Sequence, residues 1–239
     1  MWKQRLKGRI ALITGASRGI GRAVAKRFAK EGAHLILVAT TVGGLEEVDD
    51  EIIQLTGTSS TLVPLDVTDF SGVSQLCQQI SKRHKRLDIL VGNAGILGNL
   101  GPITHTLPKI WGNVININLH ANWHFLHNFD PLLEKSEAGR VIFVTSTLGS
   151  VPRAYWGAYA VSKAALEMMT KIYALEKTQT KIKANLFDPG PIQTSMRAQA
   201  MPGEDPRKLK LPENVTEYFV KLAEVSCKLN GKVINQIKS

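Results

Sequence analysis

Cysteine, aromatic residues and acidic residues are all scarce in this chain, and each shortage narrows what it can be. Its 239 residues include two cysteines, Cys77 and Cys227, which stand 150 positions apart without a Cys-x-x-Cys pair or a neighbouring histidine cluster. That excludes a disulfide framework and a thiolate zinc site, and it fits a reducing cytoplasm as the expected location. Aromatic residues make up 6% of the chain, and no basic stripe is interleaved with them as in a nucleic-acid-binding surface. Asp and Glu number 20 against 30 Lys and Arg, a net charge of +10. Such a balance attracts phosphorylated ligands and acidic partners. The densest basic run, "SKRHKR" at 81–86, follows the helical pattern "FSGVSQLCQQI", where cations complement a helix C-terminus, so it reads as a solvated helix end. "RKLK" at 207–210 reads the same way, and nucleic acid is not an expected partner. After the basic opening "MWKQRLKG", the apolar stretch Ile10 to Ile13 is far too short for a secretion signal or a membrane span. The opening reads as a basic tail feeding a first strand, and no membrane partner is expected.

What is present is a core-forming pattern. Hydrophobic residues make up 44% of the chain, enough for one sizeable domain at this length. Short apolar runs alternate with helical periodicities: "RIALIT" then "GIGRAVAKRFAKEG", "HLILVAT" then "GGLEEVDDEIIQL", "STLVPLDV" then "FSGVSQLCQQI", "RLDILVGNAG" then a long stretch to Glu134. The pattern continues with "RVIFVTS", a helix over about 158–177, "KIKANLFDPG", a polar segment, a helix within "ENVTEYFVKLAEVSCKL" and a last strand in "GKVINQI". Strands that are continuously apolar, with helices between them, predict a mainly parallel, seven-stranded sheet covered on both faces, a doubly wound α/β fold. Repeats, low-complexity tracts and internal linkers are missing, so residues 1–239 read as a single domain. Residues 189–213, rich in Pro, Gly and charge, are expected to be a mobile loop.

The first predicted strand runs into "TGASRGIG" at 14–21 and straight on into a helix. Gly15, Gly19 and Gly21 permit a tight turn and a close backbone approach to a pyrophosphate, while the helix N-terminus offers free N–H groups and the positive end of its dipole. The spacing is Gly-x-x-x-Gly-x-Gly. Downstream, "NAG" at 93–95 follows the fourth strand, and Asn118 lies in "NINL". Ser146 ends the fifth strand, Tyr159 and Lys163 open the next helix, and "DPGPIQTSM" follows the sixth. In these motifs and their order the chain resembles the short-chain dehydrogenase/reductase family over residues 8–237, and "MRAQAMPGEDPRKLKLPE" is similar to that segment of uncharacterised bacterial oxidoreductases of the family. The resemblance implies a Rossmann-type dinucleotide-binding domain and an NAD(P)-dependent oxidoreductase acting on CH–OH groups.

A Tyr-x-x-x-Lys pair lies on one helix face, but the spacing alone does not choose between Tyr159/Lys163 and Tyr173/Lys177. The family pattern has a serine thirteen residues before the tyrosine, and that position is Ser146 for Tyr159 but Ala160 for Tyr173. Hydride delivery to a carbonyl carbon leaves a developing alkoxide that needs an acid beside it. An ammonium at ~4 Å and an effective dielectric of ~20 favours a phenolate by about 4 kcal/mol, so Lys163 is expected to draw Tyr159 from ~10 toward ~7. The resemblance implies that Tyr159 is the general acid/base and that Lys163 also holds the nicotinamide ribose. It further implies that Ser146 bonds the substrate oxygen and that Asn118 holds a water that relays protons to Lys163. By spacing alone, Asn113, Asn116 and Asn118 are indistinguishable.

The same resemblance assigns the dinucleotide to Gly15, Ser17, Arg18, Gly19, Ile20 and Gly21 of the turn, and to Asp66 and Val67 after the third strand. Asn93, Ala94 and Gly95 follow the fourth strand, and Tyr159, Lys163, Pro189, Gly190, Ile192 and Thr194 complete the set. Where the family carries an acid that selects NAD, this chain has Ala39 followed by Thr40 and Thr41, and Arg18 stands in reach of a 2′-phosphate. NADP(H) is therefore favoured over NAD(H). Asp66 resembles the residue that binds the adenine amino group, although an Asp there also suits a helix N-cap. Leu148, Trp156 and Met196 offer an apolar wall, and Arg153 or Arg197 an anchor for an acidic group. The expected substrate is a small carbonyl compound or alcohol, and a homodimer or homotetramer is expected from the resemblance. An acyl-carrier-protein thioester would suit the positive charge. However, "NAGILGNLGPI" lacks the polar continuation usual in reductases of such thioesters. A non-catalytic NADP(H)-binding or scaffold protein is the rival reading from another class.

Overall fold

The computed structural model describes residues 4–236. Seven strands form one sheet, β1 (Ile10–Thr14), β2 (His34–Ala39), β3 (Thr61–Pro64), β4 (Ile89–Gly92), β5 (Arg140–Val144), β6 (Lys183–Asp188) and β7 (Val233–Asn235). Their order is β3-β2-β1-β4-β5-β6-β7, and every neighbouring pair is parallel. The helices between them are α1 (Gly19–Lys30), α2 (Val42–Thr56), α3 (Phe70–His84), α4 (Pro108–Ile115), α5 (Ala121–Glu134), α6 (Gly157–Glu176), α7 (Ser195–Ala200) and α8 (Thr216–Ala223).

Alternating side chains along each strand build two separate cores. Ala11 and Ile13, Leu35 and Leu37, Ile89 and Val91 face Val24 and Phe28 of α1, Leu45 and Ile52 of α2 and Phe219 of α8. Their neighbours Leu12, Ile36, Leu90 and Phe143 face Leu76 of α3, Phe125 and Phe129 of α5 and Leu166 of α6. This two-sided burial is why the strands read as unbroken apolar runs. The chain turns one way from β1 toward β3 and the other way from β4 toward β7. A crevice therefore opens at the carboxyl ends of β1 and β4, where such sheets bind their ligands.

One expectation changes. The helical pattern expected within 213–229 yields α8 only to Ala223. The buried Arg140 guanidinium takes the carbonyls of Glu224, Val225 and Cys227, which pulls the chain out of the helix to wrap around it. The segment 189–213 holds α7, and it ties back on itself through Gln193 N donating to Lys210 O at 2.9 Å and an Arg197–Glu204 pair. Of the basic opening, residues 1–3 lie outside the described residues. Arg5 is not a loose tail, because it pairs with Glu31, Glu217 and Glu224. Ile237 of the last predicted strand is also outside the described residues. "SKRHKR" lies at the C-terminal end of α3, as expected, with Lys85 as its left-handed cap.

Candidate active site

The glycine turn is braced from β4. Asn93 Nδ2 donates to Thr14 O at 3.0 Å and to Gly15 O at 3.1 Å, while Asn93 N and Ala94 N both donate to Thr14 Oγ1. The side chain of Asn93 and the backbone N–H groups of Asn93 and Ala94 thus hold the end of β1 and the glycine turn in place. Gly15 (φ +63°) and Gly19 (φ +55°) need left-handed backbone. A Cβ on Gly21 would stand 2.2 Å from Gly15 O, so only glycine lets the first turn of α1 close onto the loop. Arg18 is the N-cap of α1 and makes no side-chain cap, so the first N–H groups of the helix are left for a ligand. Ile20 is half-buried in the same turn. Across the crevice Thr194, the N-cap of α7, sits with its methyl 3.4 Å from where a Gly19 Cβ would be. Pro189, Gly190 and buried Ile192 lead to it from β6.

At the end of β2, Ala39 is buried and Thr40 and Thr41 are exposed, with Thr41 Oγ1 donating to Ser17 Oγ at 3.4 Å. Arg18 is exposed. Asp66 is exposed beside buried Val67, and its Oδ1 accepts from Thr68 N at 2.8 Å and Thr68 Oγ1 at 2.7 Å. The N-cap of α3 is Asp69, not Asp66.

Lys163 is 4% exposed, and its ammonium donates to Val144 O at 2.8 Å and lies 5.7 Å from the Tyr159 ring centre. Gly95 closes over it, with Lys163 Nζ 3.7 Å from where a Cβ there would be. Ser146 follows β5 and lies beside the Tyr159 phenol. Asn118 is fully buried on a π-helical turn over 116–120 between α4 and α5. That turn rotates it inward, while Asn113 and Asn116 stay exposed. Its Oδ1 accepts from Ile96 N at 2.8 Å, and its Nδ2 donates to Ile96 O and to Ser162 Oγ. The side chain therefore pins the loop after β4 to α6.

The phenol differs from expectation. Burial pushes Tyr159 up to about 12, opposed by the neighbouring Ser146 hydroxyl and reinforced by the charge of Asp188. Lys163 is itself brought down to about 8 by burial, and its ammonium is turned toward a backbone carbonyl and the face of the ring. Only an ammonium beside the hydroxyl itself would draw the phenol toward neutrality. Tyr173 and Lys177 have the same 5.7 Å separation, yet Tyr173 donates its hydroxyl to Asp130 and Lys177 pairs with Asp130 and Glu134. That pair is a tie between α5 and α6.

A cavity of about 790 Å³ opens between Arg18, the 95–99 loop, α4 and α7, with Met196 in its wall. Trp156 is buried and meets Tyr159 edge-on at 6.0 Å, with Arg153 5.5 Å above it. Arg197 donates to Glu204 at 2.7 Å and is not a free anchor. Leu148 is half-buried in the turn after Ser146.

The model of the family described as short chain dehydrogenase matches residues 9–205. This chain belongs to the short chain dehydrogenases. By that membership it is an NAD(P)-dependent oxidoreductase. It is 38% identical over 219 residues to the uncharacterised oxidoreductase YciK of Escherichia coli K12, covering 90% of this chain and 86% of that protein. A short chain dehydrogenase from Shigella flexneri 2a, solved with NADP, superposes with a TM-score of 0.94 at 38% identity, covering 98% of this chain and 99% of that one. Another from Escherichia coli CFT073, solved with NADPH, has the same TM-score of 0.94 and 38% identity, covering 98% of each chain.

Three features of this short chain dehydrogenase went unnoticed in the sequence. Tyr155 has φ +74°, a left-handed conformation costly for a tyrosine, and its carbonyl accepts from Gly101 N at 2.9 Å, joining the 96–102 and 152–156 loops. Glu167 and Asp188 are buried carboxylates, each 4% exposed, next to the Ser146 turn. Glu167 had a signal in its place, one turn beyond Lys163 on the apolar face of α6.

Proposed function

We propose that this short chain dehydrogenase is an NADP(H)-dependent carbonyl reductase, or an alcohol dehydrogenase in reverse, with Tyr159 as its general acid/base. One observation carries the reading: the Tyr159 phenol lies beside Ser146, with the buried Lys163 ammonium 5.7 Å from its ring centre. When bound, the nicotinamide supplies or takes up a hydride. Tyr159 gives its proton to the substrate oxygen, and Ser146 donates to that oxygen and orients it. The Lys163 charge stabilises the phenolate left behind. Asn118 keeps Lys163 and the loop over it in place through Ile96 and Ser162.

The residues present fit a dinucleotide. The turn that only Gly21 can close, the free N–H groups of α1 and Thr194 opposite form a cradle for a diphosphate. Thr40, Thr41 and Arg18 offer donors and a positive charge to a 2′-phosphate, and no carboxylate follows β2 at 39–41. The test is a titration of the purified protein with NADPH and separately NADH, read by energy transfer from its tryptophans. NADPH is expected to bind tighter, and Arg18→Ala to lower its affinity by about tenfold or more while leaving NADH unchanged. Equal binding of both cofactors would overturn the preference. Binding of NADPH without turnover of any carbonyl would favour a non-catalytic NADP(H)-binding protein.

Self-association as a homodimer, or a homotetramer built on it, is part of the same proposal. Val161, Met168, Ile172 and Leu175 stripe one exposed face of α6, and Trp123 is exposed on neighbouring α5. Leu175→Glu is expected to shift the mass seen by light scattering from dimer to monomer, and an unchanged mass would exclude this face. Free Cys77 and Cys227 support a reducing, cytoplasmic setting.

A further inference from the structure

Val144, which ends β5, and Thr145 after it are each tied to α6, at points one helical turn apart. Lys163 Nζ donates to Val144 O at 2.8 Å, and Thr145 Oγ1 donates to Glu167 Oε1 at 2.8 Å. Ser146 is the next residue. Its turn is closed from within, because Gly149 N donates to Ser146 O at 2.8 Å and Leu148 N to Ser146 Oγ at 3.3 Å. Those bonds set the shape of the turn, and only bonds that leave it can set where it stands. One goes to β6, from Thr147 Oγ1 to Asp188 Oδ2 at 2.6 Å, and the one toward α6 goes to Glu167. Glu167 also lies against the far side of the turn. A Cβ on Gly149 would stand 2.5 Å from Glu167 Oε1 and 3.1 Å from Thr145 Oγ1, so the turn folds down over the carboxylate with no room for a side chain.

We propose that Glu167 is a positioning residue: by anchoring Thr145 to the helix that carries Tyr159 and Lys163, it holds the Ser146 hydroxyl in register with them, given the reading of Ser146 as the donor to the substrate oxygen. Glu167 is 4% exposed, on a buried helix face shared with Leu166, Thr170 and Ala174. Burying a carboxylate there is costly, and one hydroxyl at 2.8 Å with one ammonium, Lys171 Nζ at 3.4 Å, offsets that only in part. An apolar side chain would pack without the penalty, so stability does not account for Glu167. A long side chain that ends in an acceptor reaches from α6 to the hydroxyl beside Ser146, which no apolar residue can do. Tyr159, Lys163 and Glu167 follow one another at intervals of four, so one face of one helix carries the phenol, the ammonium and the tie to the serine. Their relative placement is then set by a single rigid element.

The experiment compares crystal structures of the full chain with NADPH, wild type and Glu167→Leu, together with rates of NADPH oxidation using 4-nitrobenzaldehyde as the carbonyl probe. Glu167→Leu fills the same place without an acceptor. It is expected to move Ser146 Oγ by about 1 Å relative to Tyr159 Oη and to lower kcat by about tenfold to 100-fold, with NADPH affinity unchanged. Glu167→Gln, which returns an oxygen to Thr145, is expected to recover most of the lost turnover. Added to Ser146→Ala, Glu167→Leu is expected to cause no further loss, because no hydroxyl is left to misplace. Should Glu167→Leu not fold, Thr145→Val breaks the same bond from the other side and is read in the same two ways. A Ser146 that stays in place, no recovery by Glu167→Gln, or an equal loss of kcat in the Ser146→Ala background would overturn the proposal. Full turnover by Ser146→Ala would instead remove the reading of Ser146 and leave the displacement result standing.

Discussion

Tyr159→Phe is expected to bind NADPH as the wild type does and to reduce a carbonyl substrate about 10²–10⁴-fold more slowly, the usual contribution of a positioned acid. The substitution removes one oxygen and keeps the ring that meets Trp156 and covers Lys163, so the fold and the cofactor cradle are left alone. The loss should appear in kcat, because proton donation is needed in the transition state and not in binding. Tyr173→Phe is the matched control. That residue's hydroxyl is bound to Asp130 between two helices, so it is expected to lower stability by about 1 kcal/mol and leave turnover unchanged. Steady-state rates of both variants with NADPH decide the matter, and full turnover by Tyr159→Phe would be fatal to the reading.

Gly21→Ala carries the second large effect. The added methyl would stand 2.2 Å from Gly15 O and 2.6 Å from Asn93 Nδ2, well inside van der Waals contact, and backbone lies on one side. The turn must open, which withdraws the α1 N–H groups from the crevice and breaks the bonds Asn93 makes to Thr14 and Gly15. An affinity loss for NADPH of about 100-fold is expected, equal to about 2.7 kcal/mol. Gly203→Ala, where an added Cβ meets nothing within 4 Å, should bind normally. The same tryptophan titration reads both, and unimpaired binding by Gly21→Ala would mean that the dinucleotide does not lie on this turn.

The sequence by itself determined the sheet, its parallel sense and the places where chemistry-bearing residues leave the strands. Each of those follows from local information: strands buried on both faces must be continuously apolar, and turns that approach a phosphate must be glycine. The family resemblance, with its serine thirteen residues before the tyrosine, favours Tyr159 over Tyr173. Only the tertiary structure decided what depends on groups distant in the chain. Asn118 parted from Asn113 and Asn116 because a π-helical turn rotates one of the three inward. α8 stopped at Ala223 because Arg140, more than eighty residues earlier, captures the carbonyls that would have continued it. Arg197 was lost as an anchor to Glu204 across a loop. The acidity of Tyr159 belongs to the same class. A lysine four residues away is visible in the sequence, but the burial of both groups, the carbonyl that takes the ammonium and the carboxylate of Asp188 come together only in the fold. Electrostatic energies depend on distance and solvent exposure, and neither is written in the spacing of residues along a chain.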